Sequence, residues 1–390
     1  MWTFLLRRLL SLPPLLLVIS FLTFMLLQAS GGDFFNRLEE DPKVSQDYVM
    51  SLRASAGRVV PVKPERRAAT LGAFSVRDRA YAFDAAGRLL RDGRVVEPKT
   101  EQDTLKRFVL PDGDQFTVTE QGNVYLWVGR IRGYFAWLAN AVGGELGESF
   151  QYKTSVAAVI SSRLLNTLLL SGVALLIAWG LAIPLGVWSG VRPNSLVDYV
   201  CGATAYFGLS IPSVFLALLA VLLAYYTGWF PVGGMRDLVN WGGMSAGEKA
   251  VDLAHHLVLP AAVVGFHGLA GYMRQMRGQM VETMSADYVR TARSKGLARR
   301  TVIYKHALRN AINPLLTLLG FSLAGLLSGS FLVEVVMNWP GLARVVVDAV
   351  FARDEPLVMA AVLVATLMLV AGNLVADLLL ALADPRIRLE

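Results

Sequence analysis

The charged side chains best placed to bind a partner lie in one segment, residues 284–314, between two long apolar runs. Ser285 is suited to cap the start of a helix, and Gly296 is suited to end it. Arg293 and Lys295 would lie in its last turn, where positive charge is favourable. These signals predict a basic helix of about three turns with an abrupt end. A short basic helix of this kind binds a protein partner or an anionic lipid surface, so docking is the predicted chemistry.

Patterns for catalysis are missing from the sequence. Neither a G-x-x-x-x-G-K-[ST] phosphate loop nor an H-E-x-x-H zinc motif occurs. Cys201 is the only cysteine, so no intrachain disulfide can form. The four histidines lack the spaced partners of a metal site; they are His255, His256, His267 and His306. We therefore expect neither an enzyme nor a resident metal.

The composition is typical of a membrane protein. Hydrophobic residues make up 54% of the 390 residues, charged residues 17%, and the mean hydropathy is +0.48. Six runs are long enough for a helix to cross a hydrocarbon core of about 30 Å. They are residues 9–28, 164–188, 199–226, 257–273, 310–333 and 357–376. The fourth is expected to continue as helix past Arg274 and Arg277. The first is interpreted as an uncleaved helix rather than a signal peptide.

Lysines and arginines in the short connections predict the orientation in the membrane. Nine of them lie within residues 274–309, between the fourth and fifth runs, and both ends of the chain are also basic. The two termini and this loop are therefore predicted to be cytoplasmic. Nucleic acid is not an expected partner, because the cations are dispersed and lack an interleaved aromatic platform.

Residues 30–162 are too polar to lie in the membrane and are predicted to form an extracytoplasmic insert. The insert has turn signals at residues 85–87, 91–93, 111–113 and 121–123. Turns at this spacing between short β-prone runs predict a β-rich unit of hairpins. Residues 33–67 are more polar and are expected to be helical or partly disordered. Both a stabilising role at the outer face and docking of a substrate-binding protein remain open for the insert.

The basic segment resembles the cytoplasmic coupling loop of ABC-transporter permeases of the dipeptide and oligopeptide importer family. The matching positions are Ala286, Asp287, Tyr288, Arg290, Thr291, Ala292, Lys295, Gly296, Leu297, His306, Ala307, Asn310 and Pro314. Arg290-Thr291-Ala292 stands where the broader family has Glu-Ala-Ala, as is usual in the peptide subfamily. Further matching stretches are residues 134–150, 163–167, 208–213, 228–234, 329–334, 339–342 and 383–388. Residues 33–132 carry no such motif.

The resemblance implies an all-α polytopic membrane protein with six transmembrane helices, the type I importer permease fold. Its parts would be residues 1–29 with the first helix, the insert 30–162, and the permease core 163–390 with the coupling loop 274–309. The implied partners are a second homologous permease, two ATPase subunits that bind ATP and magnesium, and an external substrate-binding protein. The implied location is the bacterial inner membrane. The implied substrate is a di- or oligopeptide, and nickel complexes or another small solute are alternatives.

The resemblance also assigns ATPase coupling to residues of the loop. These are Ala286, Asp287, Tyr288, Arg290, Thr291, Ala292, Arg293, Lys295, Gly296, Leu297 and His306. Four of them fall on one face of the predicted helix and are expected to make most of the contact: Tyr288, Thr291, Ala292 and Lys295.

Two places near the membrane are candidates to line a translocation pathway. Pro212, flanked by Ser210 and Ser213, is expected to break the third span near its middle, although a tolerated bend is the plain alternative. Glu334 ends an apolar run. Because an acid in lipid is costly, we expect it to face water, either at the outer interface or in a water-filled vestibule, with an arginine or a peptide amino terminus as its partner.

Two other functions compete with the importer subunit. A secondary transporter or channel would need intramembrane ionisable groups or inverted repeats, and only His267 lies well inside an apolar run. A membrane-anchored sensor would not require six spans and a basic loop.

Overall fold

The computed structural model describes residues 2–29, 44–62, 74–76, 79–83, 89–91, 94–96, 107–109, 115–119, 123–316, 318 and 330–383. The chain divides into two compact units. One comprises Leu17–Ile160 and Asp348–Val362, and the other comprises Met1–Leu16, Ser161–Val347 and Leu363–Glu390. The division of the sequence at residues 29 and 162 stays a prediction.

The described helices are numbered along the chain. They are α1 (Trp2–Ala29), α2 (Gln46–Ser55), α3 (Arg130–Val142), α4 (Val156–Val191), α5 (Leu196–Ser210), α6 (Ser213–Thr227), α7 (Ala246–Ser285), α8 (Asp287–Ser294), α9 (Arg299–Thr301), α10 (Leu308–Ala311), α11 (Phe331–Val336), α12 (Leu342–Ala352) and α13 (Glu355–Ala383). A 3-10 turn spans Trp241–Gly243 and a π-helix spans Val302–Ala307. The strands are β1 (Val59–Val62), β2 (Phe74–Val76), β3 (Arg79–Phe83), β4 (Leu89–Arg91), β5 (Arg94–Val96), β6 (Arg107–Val109), β7 (Gln115–Val118) and β8 (Val124–Trp127).

The apolar helices are those of a membrane protein. Within the described residues, α4, α7 and the part of α13 at Glu355–Val375 are long and apolar enough to cross a bilayer. The pair α5 and α6 gives a fourth crossing if it is counted as one span, and α1 contributes the shorter apolar stretch Pro13–Leu27. Most of the fifth predicted run, 310–333, lies outside the described residues, so the count of six spans stays a prediction.

Two expectations about individual spans are confirmed. Helix α7 continues past Arg274 and Arg277 to Ser285, over 40 residues. The third run is broken, because α5 and α6 meet at an angle of 104°. Pro212 has no backbone N–H and disfavours helical geometry at the preceding residue. Accordingly, Ile211 is extended, with φ −88° and ψ 125°.

Among the described residues of the first unit, eight short strands form two antiparallel sheets, in the orders β1-β8-β7-β6 and β2-β3-β4-β5. Each of the four turn signals lies between consecutive strands that pair with each other. Helix α2 lies in the polar part and buries Met50 against Val59 and Tyr125. That the insert is an independent extracytoplasmic domain stays a prediction.

Polar contacts fix the start of α13 within the same unit. The carboxylate of Asp354 accepts hydrogen bonds from the Ser149 hydroxyl, at 2.5 Å, and from the Gln151 backbone N–H, at 3.1 Å. Arg58 and Glu355 form an ion pair. Asp354, which directly precedes the last apolar helix, is therefore held by a hydroxyl and a backbone N–H about 200 residues earlier in sequence.

In the second unit, glycines allow α4 and α7 to approach closely. A Cβ atom at Gly190 would lie 2.6 Å from the Met280 Cβ and 2.9 Å from the Arg277 carbonyl oxygen. Similarly, a Cβ atom at Gly186 would lie 2.6 Å from the Met276 Cβ. These contacts require glycine. They place the end of α4 against the part of α7 from which the basic segment continues.

Candidate functional site

The basic segment forms α8, a helix of eight residues that follows the longest described helix. Ala286 separates the two helices in an extended conformation, with φ −68° and ψ 147°. The predicted N-cap role of Ser285 is wrong, because α7 continues through this residue and its hydroxyl donates to the Glu282 carbonyl at 2.7 Å. Eight residues make about two turns, so the predicted length of three turns is also wrong.

The predicted stop at Gly296 is confirmed. The N–H of Lys295 donates to the Thr291 carbonyl at 3.1 Å, and the N–H of Gly296 donates to the Arg293 carbonyl at 3.0 Å. Gly296 has φ +75°, the left-handed conformation that glycine adopts at low cost. Apart from its two chain neighbours, none of the described residues has a heavy atom within 4 Å of the position that its Cβ would take. The backbone conformation, rather than lack of space, is therefore what favours glycine here.

One face of α8 is buried in its own chain. Val289 and Ala292 pack in a hydrophobic cluster with Met276 and Met280 of α7 and with residues of the π-helix. Ala292 is only 6% exposed. The expectation that Ala292 contacts a partner is therefore wrong, because its spacing of three from Val289 puts both residues on the face toward α7.

The opposite face of α8 and the residues that follow it are exposed. We call this surface the docking face; it consists of Tyr288, Arg290, Thr291, Arg293, Lys295 and Leu297. Tyr288 and Leu297 are large apolar side chains with exposed fractions of 44% and 40%. Asp287 is exposed and pairs with Arg290 at 3.6 Å. The surface combines apolar anchors with net positive charge, which suits a groove with acidic edges.

His306 lies in the π-helix Val302–Ala307, a conformation that was not predicted from the sequence. The wider turn lets Val302 and Ala307, five residues apart, both reach the cluster beneath α8. That spacing of five between buried apolar residues is the signal that could have revealed it. His306 itself is half-buried and lies outside the docking face.

Asp198, near the start of α5, holds together three helices and was also missed. Its carboxylate accepts two hydrogen bonds from the Arg277 guanidinium, at 2.5 and 2.7 Å, and one from the Ser189 hydroxyl at 2.5 Å. The backbone N–H of Asn194 donates to it at 2.9 Å. From the sequence, Arg277 is predicted only to be one of the cations of the loop 274–309. An acid in the first turn of an apolar helix is the sequence signal that could have indicated such a partner.

The two pathway candidates are in different surroundings. Ser210 and Pro212 are exposed at the break between α5 and α6, and Ser213 is half-buried. Glu334 is 0% exposed, so its expected placement facing water is wrong. Its carboxylate accepts hydrogen bonds from the hydroxyls of Thr167, at 2.8 Å, and Ser330, at 3.1 Å. Neutral donors, rather than an arginine side chain, satisfy it in the described structure.

Glu334 also fixes the turn that follows α11. The backbone N–H of Ala343 donates to it at 2.9 Å, at the start of α12. Thr167 accepts a hydrogen bond from the Leu342 N–H at 2.8 Å while donating to Glu334. Gly341 packs directly on the carboxylate. The acid therefore ties the start of α12 to α4.

Comparison with known proteins identifies the family. The family described as "Binding-protein-dependent transport system inner membrane component" matches residues 182–389, more than half of the chain. The chain belongs to this family. The matched range begins near the end of α4 and includes α8 and the docking face. The insert at 30–162 precedes it.

Curated relatives of this permease are proteins of peptide transport systems. The oligopeptide transport system permease protein AppB of Bacillus subtilis is 41% identical over 256 residues, which cover 65% of this chain and 79% of that protein. The dipeptide transport system permease protein DppB of Escherichia coli K12 is 34% identical over 274 residues, 65% of this chain and 80% of that protein. A solved amino acid ABC transporter, 18% identical, covers 59% of this chain and 95% of its own with a TM-score of 0.40.

The Asp198 network gives a prediction about the stability of the permease. Arg277→Met removes two charge-assisted hydrogen bonds from a buried carboxylate. We expect the free energy of unfolding to fall by roughly 1–3 kcal/mol, since Arg277 is itself partly exposed. Thermal unfolding of the purified protein in one detergent would measure this loss. Arg274→Met, one turn earlier on an exposed position, is the matched control. An equal loss in both variants would contradict the assigned role.

Proposed function

We propose that this chain is the transmembrane permease subunit of an ATP-driven importer that translocates di- or oligopeptides. The observation that carries the proposal is the docking face, a two-turn helix with one side packed on α7 and the other side exposed. Membership of the family and the peptide transport systems of the relatives support the same function. A nickel complex or another small solute is the alternative substrate.

The geometry of α8 favours a coupling element. Val289 and Ala292 join it to α7, while Tyr288 and Leu297 are exposed to a partner. A push on the exposed side would therefore reach the membrane-crossing helices through close-packed side chains, which deform little. Because the sequence lacks a phosphate loop, the ATP and its magnesium would be bound by separate ATPase subunits.

The proposed assembly has the partners of a binding-protein-dependent importer. A second homologous permease would complete the pathway, two ATPase subunits would bind at the docking faces, and an external protein would deliver the substrate. The chain itself would have no catalytic step. Its location would be the bacterial inner membrane, with both termini and the loop 274–309 in the cytoplasm.

The substrate is tested by reconstituting the permease with its partner subunits and the external substrate-binding protein of the same system, called the receptor below. Native mass spectrometry of the purified receptor is expected to detect a bound peptide, and uptake of that labelled peptide into proteoliposomes should require ATP. A receptor that carries a metal chelate or a sugar, and drives uptake of it alone, would exclude peptides as the substrate.

The orientation gives a separate prediction, tested with single cysteines in a Cys201→Ser background. Cysteines at Gly93 and Gly113, both outside the described residues, should react with an impermeant maleimide in intact cells, because the insert is predicted to face outward. A cysteine at Arg299 should react only after permeabilisation. Labelling of Arg299 in intact cells would overturn the proposed orientation.

A further inference from the structure

A groove of about 820 Å³ lies between the end of α4 and the segment of α9, the π-helix and α10. Its floor is apolar and includes Ile183 and Val187 of α4 and Ile303 and Leu308 of the opposite segment. Helix α4 is one of the helices that can cross a membrane, and it ends at Val191. The groove therefore runs along the last turns of a membrane-crossing helix, where lipid chains end and headgroups begin.

The rim of the groove is cationic. Arg192 directly follows α4, and Arg299 and Arg300 belong to the opposite segment, so three arginines are among the residues that line the groove. None of the described lining residues is acidic. In the described part of the chain, none of these three arginines forms a salt bridge with a carboxylate. The charge at this opening is therefore left for an anionic ligand.

Two aromatic side chains are placed as at a membrane surface. Trp188 lies one turn before the end of α4 with 53% of its surface exposed, and Tyr304 lies on the opposite wall with 62% exposed. Tryptophan and tyrosine are enriched at the boundary between hydrocarbon and headgroups, because their rings are apolar and their polar atoms reach water. Their position marks the depth of the boundary within the groove.

We infer that this groove binds one anionic phospholipid, with an acyl chain on the apolar floor and its phosphate among the three arginines. Basic pockets beside membrane helices on the cytoplasmic side bind anionic headgroups in this way. Arginine suits the site because its planar guanidinium forms paired hydrogen bonds to phosphate oxygens. The assignment to the cytoplasmic leaflet rests on the proposed orientation; the lipid class follows from the charge of the groove.

The lipid would have a mechanical consequence for coupling. The same segment that forms one wall of the groove also packs on α8 through Val302 and Ala307. A lipid that joins this segment to α4 would hold the base of the docking face in one position. Anionic lipid is therefore expected to stabilise the arrangement that receives the ATPase.

The test uses Trp188 as the reporter. The full-length chain in mild detergent is titrated with brominated phosphatidylglycerol or brominated phosphatidylcholine, whose bromine atoms quench tryptophan fluorescence. The quenching of Trp188 is isolated by subtracting the fluorescence of the Trp188→Phe variant. The groove variant combines Arg192→Gln, Arg299→Gln and Arg300→Gln. The matched control combines Arg290→Gln, Arg293→Gln and Lys305→Gln, which removes equal charge from the same loop region outside the groove. Arg300→Gln alone serves if the triple variant does not fold.

We expect phosphatidylglycerol to quench Trp188 at concentrations at least about tenfold lower than phosphatidylcholine, a preference lost in the groove variant and kept in the control. Equal quenching by the two lipids would overturn the proposal, as would equal losses in the groove variant and the control. Displacement of the bound lipid by an added ATPase subunit would instead assign the groove to a protein partner. The titration involves no transport, so its outcome is independent of whether the peptide importer assignment holds.

Discussion

Replacing Tyr288 with glutamate is expected to abolish ATP-driven uptake while leaving the amount of folded protein unchanged. The side chain is 44% exposed, so its loss creates no cavity in the cluster beneath α8. A carboxylate would instead be forced into the centre of the docking contact. Loss of a central aromatic anchor commonly costs about 2 kcal/mol or more, which corresponds to at least about a 30-fold weaker contact. Uptake into proteoliposomes, and ATP hydrolysis stimulated by the loaded receptor, would both fall.

Two further variants separate docking from folding. Tyr288→Phe keeps the ring and should retain near-normal uptake, because the predicted contact is mainly apolar. Ala292→Trp should act differently. Its site is 6% exposed and filled by Met276 and Met280, so overpacking by about 1–3 kcal/mol or more should reduce accumulation of the protein itself. If Tyr288→Glu transports at the native rate, the docking face is not the coupling surface.

The contrast between these two residues shows how far the sequence alone could define the site. The basic charge and the glycine at 296 were sufficient to predict a short helix with a defined C-terminal end, whereas the N-cap at Ser285 was predicted wrongly. They did not fix its rotation about its own axis, because the candidate contact residues mix one exposed aromatic side chain with small and polar ones and form no continuous apolar stripe. The rotation is decided by Val289, the one β-branched apolar residue in α8, which is fully buried. Weighting that residue alone would have placed Ala292 on the inner face.

Breaks and turns were predictable for a related reason. Proline and glycine restrict or widen the backbone locally, so the break at Pro212 and the stop at Gly296 follow from single residues. The partners of buried acids do not. Asp198 accepts hydrogen bonds from Arg277, 79 residues away, and Glu334 accepts one from Thr167, 167 residues away. No local pattern encodes such pairs, since they depend on which helices pack together.

Glu334→Ala is expected to destabilise the permease strongly, and more than either Glu334→Gln or Glu282→Ala. The carboxylate accepts hydrogen bonds from Thr167, Ser330 and the Ala343 N–H in a fully buried site. Truncation would leave at least two buried donors without acceptors and open a cavity beside Gly341. Each unsatisfied buried group costs about 1–3 kcal/mol, so the free energy of unfolding should fall by roughly 3–5 kcal/mol. Thermal unfolding in one detergent would measure the loss.

Matched variants distinguish this network from a general effect of removing an acid. Glu334→Gln keeps one acceptor oxygen in the same volume and should lose less stability than the alanine variant. Thr167→Val keeps the shape but removes the hydroxyl that donates to Glu334 and accepts from Leu342, so it should also destabilise. Glu282→Ala, at an exposed position on α7, should change unfolding by less than about 0.5 kcal/mol. If Glu334→Ala unfolds at the same temperature as Glu282→Ala, the carboxylate does not hold the start of α12 against α4.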